Sequence, residues 1–230
     1  MEDKFAVIGM GQFGTRVAKQ LTLRGAEVLA IDRNIERVEQ IKDDVTYAVA
    51  LDSTDIKALS TQSIQEMDAV LVAIGENIEG LLLTVVLLLE LDVKRIVARA
   101  MSQEQKIILE KLGVEEILSP EDEVGMMVAE MLLKPTMKAF LPLPDGYEIA
   151  EIQVPRKAVN KTVGELNLPG KYQLVMVTIK RQFEENMKGR PTIAEHLVHK
   201  IQDDTILQPS DMLIVMGKNI HVDKFIELNS

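Results

Sequence analysis

Residues 5–32 read FAVIGMGQFGTRVAKQLTLRGAEVLAID, and their pattern is the strongest indication of the fold in this sequence. Its first four residues form an apolar run that is too short for a helix, which predicts a buried strand. A G-x-G-x-x-G motif follows at Gly9, Gly11 and Gly14, and apolar residues then recur at helical spacing as far as Gly25. A second strand, residues 28–31, leads to Asp32. This order of strand, glycine loop, helix and strand predicts the first unit of a parallel sheet.

The glycine loop predicts a site for the phosphates of a nucleotide. Gly9 permits a tight turn, Gly11 lets backbone N–H groups approach a pyrophosphate, and Gly14 lets the helix pack closely. The helix N-terminus adds unpaired N–H groups and a partial positive charge. Asp32 is placed to accept both hydroxyls of a ribose, which favours an unphosphorylated 2′ position. The alternative is a doubly wound domain that has kept the turn without a ligand.

Composition narrows the class of protein. The chain has 230 residues, 47% of them hydrophobic and 27% charged, which is typical of a globular protein with one large domain or two modest ones. Its net charge of −10 argues against a nucleic acid or an anionic membrane surface as partner. The absence of cysteine excludes disulfides and thiolate metal sites, and it suits the cytosol. We expect no signal peptide before the first strand.

The most apolar stretch runs from Leu81 to Leu89 and ends at Glu90, so it is too short to span a membrane. It is apolar on every face, which predicts a helix that is covered on both sides. The sheet would cover one side. A partner subunit would cover the other, unless a large monomeric core does so.

Strands predicted at residues 46–50, 69–74, 95–98 and 116–118 alternate with helices. This pattern predicts an α/β fold with a Rossmann-like, doubly wound parallel sheet. A longer, methionine-rich helix begins at Pro120, with Ser119 as its N-cap, and ends near Pro135. We place the domain boundary near residues 141–146, which gives a nucleotide-binding domain of residues 1–138 and a second domain of residues 139–230.

The second domain has a different pattern, which predicts a smaller α+β module. Strands are expected at residues 147–154, 174–179 and 211–216, with short and terminal helices at 162–166 and 222–228. Residues 181–200 are charged and predict an irregular, solvated segment. His196 and His199 lie three apart within it, but no third ligand follows at motif spacing, so we favour solvated side chains over a metal site.

Several stretches together resemble the RCK domain, the regulator of potassium conductance. They are residues 7–14, 51–54, 72–75 and 117–121. Residues 209–217 resemble the RCK C-terminal (TrkA-C) module. The resemblance covers nearly the whole chain, and the cytosolic gating subunits of bacterial Ktr and Trk potassium uptake systems are the most similar members.

The resemblance implies a regulatory protein with no catalytic residues. Such subunits form homodimers that assemble into an octameric ring under a membrane potassium channel subunit, at the inner face of the cell membrane. ATP, ADP or NAD(H) binds the N-terminal domain and changes the shape of the ring, which gates the pore. The helix from Pro120 resembles the crossover helix that packs against a neighbouring protomer.

Site residues are carried over by position. Glu121 matches an acid that helps to bind a divalent cation, although a carboxylate that favours the helix dipole explains it equally well. The nucleotide-binding positions are Gly9, Gly11, Gln12, Phe13, Gly14, Asp32, Arg33, Asn34, Asp52, Ser53, Thr54, Ile74, Gly75, Asn77 and Arg99.

Two departures from the family pattern affect the expected ligand. Gln12 stands where Ktr-type members usually have arginine, which weakens the case for a triphosphate and leaves ADP, AMP or NAD(H) open; Arg16 is a candidate substitute. Residues 167–171 lack the arginine expected for cyclic di-AMP binding, so that ligand is unsupported.

Two other functions remain open from the sequence. The first is an NAD(H)-dependent oxidoreductase, which the Rossmann-like unit alone would allow. The C-terminal half of the chain contains no Tyr-x-x-x-Lys pair for such an enzyme and leaves little room for a substrate pocket. The other open function is a nucleotide-sensing regulator of another transporter.

Overall fold

A computed structural model describes residues 3–187 and 190–229 of the chain. The chain divides into two compact units, Met1–Glu123 and Val124–Ser230. Each unit has its own hydrophobic core. The division falls inside the long helix that starts at Pro120, whereas the functional boundary that we predict lies after residue 138, and that boundary remains a proposal.

The first unit is a six-stranded parallel sheet with helices on both faces, which confirms the predicted fold class. The strand order is β3-β2-β1-β4-β5-β6, so the order reverses between β1 and β4. The strands are β1 (Lys4–Ile8), β2 (Glu27–Asp32), β3 (Tyr47–Ala50), β4 (Ala69–Val72), β5 (Ile96–Arg99) and β6 (Glu116–Leu118). The helices are α1 (Gln12–Leu23), α2 (Ile35–Ile41), α3 (Ile56–Ser60), α4 (Ile78–Glu90) and α5 (Gln103–Lys111), with a short 3-10 helix at Ile64–Glu66.

The two faces of this sheet have separate apolar clusters, as a doubly wound fold requires. Val7, Val28 and Ala30 pack with Ala18 of α1 and Ile41 of α2 on one face. On the other face, alternate residues of the same strands pack against α4 and α5. The strand residues include Ala6, Ile8, Leu29 and Ile31, and the helix residues include Leu81, Val85, Leu88 and Leu109.

Several strand ends differ from the predicted ones; β5, for example, spans Ile96–Arg99 rather than residues 95–98, and two further differences are at β4 and β3. β4 ends at Val72 rather than at residue 74, although the amide of Ala73 still donates to the carbonyl of Ile8 over 2.7 Å. β3 begins at Tyr47, because the hydroxyl of Thr46 accepts the amide of Val28 instead of extending the backbone ladder. These changes leave the order of the strands as predicted.

α4 is buried on one side only among the described residues, so no monomeric core covers its other side there, and cover by a partner subunit stays a prediction. Leu81, Val85 and Leu88 are fully buried against the sheet. On the outer side, Leu83 and Val86 remain 46% and 41% exposed. The described part of the chain therefore leaves one apolar face of α4 uncovered.

The second unit contains a five-stranded antiparallel sheet with the order β10-β9-β11-β8-β7. Its strands are β7 (Met137–Pro142), β8 (Tyr147–Gln153), β9 (Val175–Met187), β10 (Arg190–Leu197) and β11 (Met212–Lys218). Its helices are α7 (Val163–Leu166), α8 (Leu168–Tyr172) and α9 (Asn219–Asn229). α6 (Pro120–Leu133) precedes them in the chain, and short 3-10 helices lie at Pro144–Gly146 and Arg156–Ala158.

Much of the charged segment of residues 181–200 is regular, which corrects our prediction for the described residues; residues 188 and 189 lie outside them. Residues 181–187 belong to β9 and residues 190–197 form β10, and the two strands pair as a hairpin with Arg181 opposite His196. Charged side chains obscured the strand pattern because most of this hairpin lies beyond the core and tolerates them. His196 contacts Glu185 over 2.8 Å.

α6 differs from the other long helices because it buries none of its residues. Met126, Val128, Leu132 and Leu133 are all exposed, the last two at 76%. No helix in the described ranges, residues 3–187 and 190–229, combines the length and apolar character needed to cross a membrane.

Candidate functional site

The three motif glycines have different structural constraints. Gly9 has φ = +100°, a conformation that L side chains rarely adopt, and an added Cβ would lie 3.1 Å from the backbone of Ala73. A Cβ on Gly14 would overlap the carbonyl oxygen of Gly9. A Cβ on Gly11 would meet no atom within 4 Å. Packing therefore explains two of the glycines, while the third faces open space.

The N-terminus of α1 lies at this open space. Its N-cap is Gly11, and no side chain in the described part of the chain caps it. By contrast, the oxygens of Asn34, Asp55, Asn77 and Ser102 accept N–H groups at the starts of α2, α3, α4 and α5. The first N–H groups of α1 are therefore available to an anion, which the helix dipole also favours.

Asp32 holds the glycine loop from the end of β2. Its side chain is only 6% exposed. One carboxylate oxygen accepts the amide of Met10 over 2.7 Å, and the other accepts the amide of Asn34 over 2.8 Å. The Nη1 atom of Arg37, on α2, lies 3.6 Å from the Oδ2 atom of Asp32. Each carboxylate oxygen can accept a further hydrogen bond, so the group can still bind ribose hydroxyls.

The segment after β3 forms a second wall. Asp52 accepts both the hydroxyl and the amide of Thr54, and these bonds lower the pKa of its carboxyl group. Ser53 is buried, and its hydroxyl is 2.7 Å from that of Thr84 on α4. This buried pair fixes the segment against α4 and leaves the Asp52 carboxylate exposed.

These walls enclose a cleft of about 550 Å³ at the carboxyl ends of β1, β2, β4 and β5. Ligands of doubly wound sheets bind at this edge, where the strand order reverses. The volume is within the range of small-molecule and cofactor sites. Of the predicted residues, the cleft is lined by Gly9, Gly11, Gln12, Asp32, Arg33, Asp52, Ser53, Thr54, Ile74, Gly75, Asn77 and Arg99.

Three predicted residues lie beside the cleft without lining it. Gly14 permits the approach of α1 to the loop, and Asn34 caps α2 by accepting the amide of Glu36. Phe13 lies under Arg99, with 5.1 Å between the guanidinium carbon and the ring centroid. Their contacts are with the protein, and they support the cleft from outside.

Arg99 and Glu121 form an ion pair, which the sequence did not predict. This contact lowers the pKa of the Glu121 carboxyl group. The Arg99 side chain is mostly buried, and its Nε atom has no hydrogen-bond partner among the described residues. Within residues 3–187 and 190–229, no three His, Asp or Glu side chains are grouped to hold a metal ion. Glu121 as a metal ligand therefore remains a prediction.

Sequence reasoning missed several residues that line the cleft. Glu76 lies four positions after β4 and Met101 two positions after β5, so their places in the loops that follow parallel strands could have indicated them. Arg37 had no such signal, because it reaches the site only through the direction of α2. The others are Glu79, Gly80, Leu83 and Leu51, together with Ile8, Ile31 and Ala73 at the strand ends.

The site fits a nucleotide on its own geometry. The open space at Gly11, the uncapped start of α1 and the unpaired Nε of Arg99 can receive phosphate oxygens. Asp32 provides a carboxylate for ribose hydroxyls near the same loop.

Comparison with known proteins identifies relatives over the full chain. The family model of the TrkA-N domain matches residues 5–120. Ktr system potassium uptake protein A of Bacillus subtilis strain 168 is 32% identical over 222 residues, which cover 96% of this chain and 95% of that protein. Ktr system potassium uptake protein C of the same strain is 31% identical and covers 98% of this chain and 96% of that protein.

Solved structures show the same fold. The GsuK channel matches all of this chain with a TM-score of 0.68, and a structure of the GsuK channel bound to NAD matches with a TM-score of 0.64. Both are 14% identical, which supports the fold alone. The present chain spans 40% and 39% of the length of those two channel chains.

Proposed function

This chain belongs to the TrkA-N domain family, and we propose that it is the cytosolic, nucleotide-binding regulatory subunit of a potassium uptake system. Its match to the Ktr system proteins extends over nearly the full length of both sequences, which supports a shared role in potassium transport. In this role it is held at the inner face of the membrane by a channel subunit that contains the pore.

We propose that the cleft binds an adenine nucleotide with an unphosphorylated ribose. The observation that carries this proposal is the position of Asp32, whose buried carboxylate fixes the glycine loop through Met10 and faces the cleft. Asp52, Ser53 and Thr54 flank the base, and the N-terminus of α1 binds phosphate.

The phosphate end of the cleft favours a diphosphate over a triphosphate. Gln12 provides no positive charge, so Arg99 is the one arginine among the described residues that lines this end of the cleft. ADP and NAD(H) each carry a diphosphate that one arginine and a helix N-terminus can accommodate. ATP would place a third phosphate near Glu121, where a divalent cation would have to offset the repulsion between their charges.

Binding regulates transport by population shift. A nucleotide stabilises one state of the subunit assembly only to the extent that it binds that state more tightly than another. No chemical step on the ligand is required, so the role is regulatory rather than enzymatic.

The assembly is a homodimer that builds an octameric ring. The exposed apolar face of α4, at Leu83 and Val86, supports contact with a second copy. α6, which buries none of its residues and exposes Met126 and Leu132, supports the crossover contact that the family resemblance implies.

Potassium uptake in the cell that encodes this chain tests the proposal. Deletion of the gene should lower uptake by potassium-depleted cells, and the wild-type gene should restore it. Gly11→Val should not restore it, because the side chain fills the phosphate position. Unchanged uptake after deletion, or turnover of a metabolite with NADH by the purified protein, would contradict the regulatory role.

A further inference from the structure

We infer that Glu121 is an internal competitor of the nucleotide, because its carboxylate occupies the Arg99 guanidinium that a ligand phosphate would bind. This inference rests on the proposed function and deepens it. Phosphate binding would replace Glu121 on Arg99 and release the first turn of α6 from this contact with β5.

The position of Arg99 places it at the phosphate end of the cleft. It is the last residue of β5, and its guanidinium lies over Phe13, which is the second residue of α1. An added Cβ on Gly75 would lie 3.6 Å from one of its terminal nitrogens. Arg99 therefore lies beside the uncapped N–H groups of α1, where the loop leaves space for an anion.

The other arginines that line the cleft lie at its ribose end. Arg37 contacts Asp32 over 3.6 Å, and Arg33 directly follows Asp32 in the chain. Neither guanidinium group has the contact with the Phe13 ring that Arg99 has among the described residues. A phosphate at the glycine loop thus depends on Arg99 for a side-chain positive charge.

The two partners of the ion pair differ in how easily they separate. The Glu121 side chain is 51% exposed, while that of Arg99 is 14% exposed and has an unpaired Nε. Glu121 can therefore return to water at little cost, since ion pairs with an exposed member are weak. Arg99 stays in place and gains a partner that can use its free nitrogen as well.

The exchange connects the ligand with a specific helix. Glu121 is the second residue of α6, whose first turn also contains Asp122 and Glu123. When Glu121 is paired, β5 and the start of α6 are joined by a charged contact. When a phosphate binds Arg99 instead, the ion pair with Glu121 is lost and the first turn of α6 is no longer held to β5 by it. Occupancy of the cleft therefore changes how the start of α6 is restrained.

Calorimetric titration of the full chain in EDTA, with ADP and with adenosine, tests the inference. Glu121→Gln should tighten ADP binding by about two- to fivefold, the range expected for a half-exposed ion pair. It should leave adenosine binding unchanged, because adenosine carries no phosphate. Glu123→Gln is the matched control: it removes the same charge from the same turn, and Glu123 has no ion pair within the described ranges.

A second comparison isolates the role of Arg99. In an Arg99→Ala background, Glu121→Gln should no longer change ADP affinity. If Arg99→Ala folds poorly because the contact with Phe13 is lost, Arg99→Lys takes its place. Lysine keeps the positive charge but lacks the forked guanidinium, so it should reduce the effect of Glu121→Gln on ADP affinity. An unchanged or weaker ADP affinity in Glu121→Gln would overturn the competition. An equal gain in Glu123→Gln, or a gain that persists without Arg99, would overturn it too. If wild-type protein binds neither ADP nor adenosine, the nucleotide site itself is wrong.

Discussion

The buried carboxylate of Asp32 accepts the backbone amide of Met10 over 2.7 Å, which ties the end of β2 to the glycine loop. The same carboxylate accepts the amide of Asn34 at the start of α2. One side chain therefore sets the shape of the loop and also presents the acceptor for a ribose. Stability and ligand binding should respond together when it is changed.

Asp32→Ala should destabilise the first unit by about 1–3 kcal/mol, because the buried amide of Met10 loses its partner. It should also weaken ADP binding by about tenfold or more, since charge-assisted hydrogen bonds to the ribose are lost. Chemical denaturation and calorimetry measure the two effects. Asp32→Asn keeps one acceptor oxygen, so it should cost less stability while still weakening binding. An unchanged ADP affinity in both variants would remove Asp32 from the site.

Gly14→Ala and Gly11→Val should separate packing from ligand access. The Cβ of alanine at position 14 would overlap the carbonyl oxygen of Gly9, so we expect a loss of about 3 kcal/mol or more. Valine at position 11 meets open space and should leave the thermal midpoint nearly unchanged. Circular dichroism during heating distinguishes them. A collapse of the fold in Gly11→Val would mean that this glycine is structural.

Arg181→Ala should be among the most damaging changes in the second unit. Its guanidinium donates to both oxygens of the fully buried Asp211, each over 2.7 Å, and to the carbonyl of Ile206. Removal leaves a buried carboxylate without its cation, which costs about 3–5 kcal/mol. Lys180→Ala removes two more exposed ion pairs, with Glu151 and Glu195, from the adjacent position and should cost about 1 kcal/mol or less. Equal losses in urea denaturation would refute the special role of Arg181.

Glu148→Gln should change how stability depends on pH. Burial raises the pKa of Glu148. The positive charge of Lys134 lowers that pKa, whereas the negative charges of Asp223 and Glu130 raise it further. Because the folded state favours the protonated form, wild-type stability should fall as pH rises from the usual carboxyl range through the raised pKa.

Glutamine cannot ionise, so the Glu148→Gln variant should exceed wild type by about 1 kcal/mol near neutral pH and match it in acid. Thermal midpoints across pH 4 to 8 measure this difference. Glu227→Gln, on the exposed side of α9, serves as the control. Parallel pH profiles for wild type and Glu148→Gln would contradict the effect.

The sequence was sufficient for the fold of the first unit and for the edge of the sheet that carries the cleft. Short apolar strands, a glycine turn and Asp32 are local signals within 28 consecutive residues, and the structure brings them together as predicted. The predicted TrkA-N domain and the similarity to Ktr potassium uptake proteins were also confirmed.

The sequence could not predict contacts between distant residues. Arg99 and Glu121 were assigned separate roles, and only the fold shows that they bind each other. Likewise, Arg181 and Asp211 lie 30 positions apart, and their pairing depends on the register of β9 and β11. The β9–β10 hairpin was missed because its charged side chains resemble a solvated loop.

Titration of ADP into the purified full chain, in wild-type and Gly11→Val forms, is the decisive test of a nucleotide site at the glycine loop. We expect saturable binding to wild type and none to Gly11→Val at the same concentrations, with matching thermal midpoints for the two ligand-free proteins. Equal ADP binding by both forms, or no binding by wild type, would contradict a nucleotide site at the glycine loop.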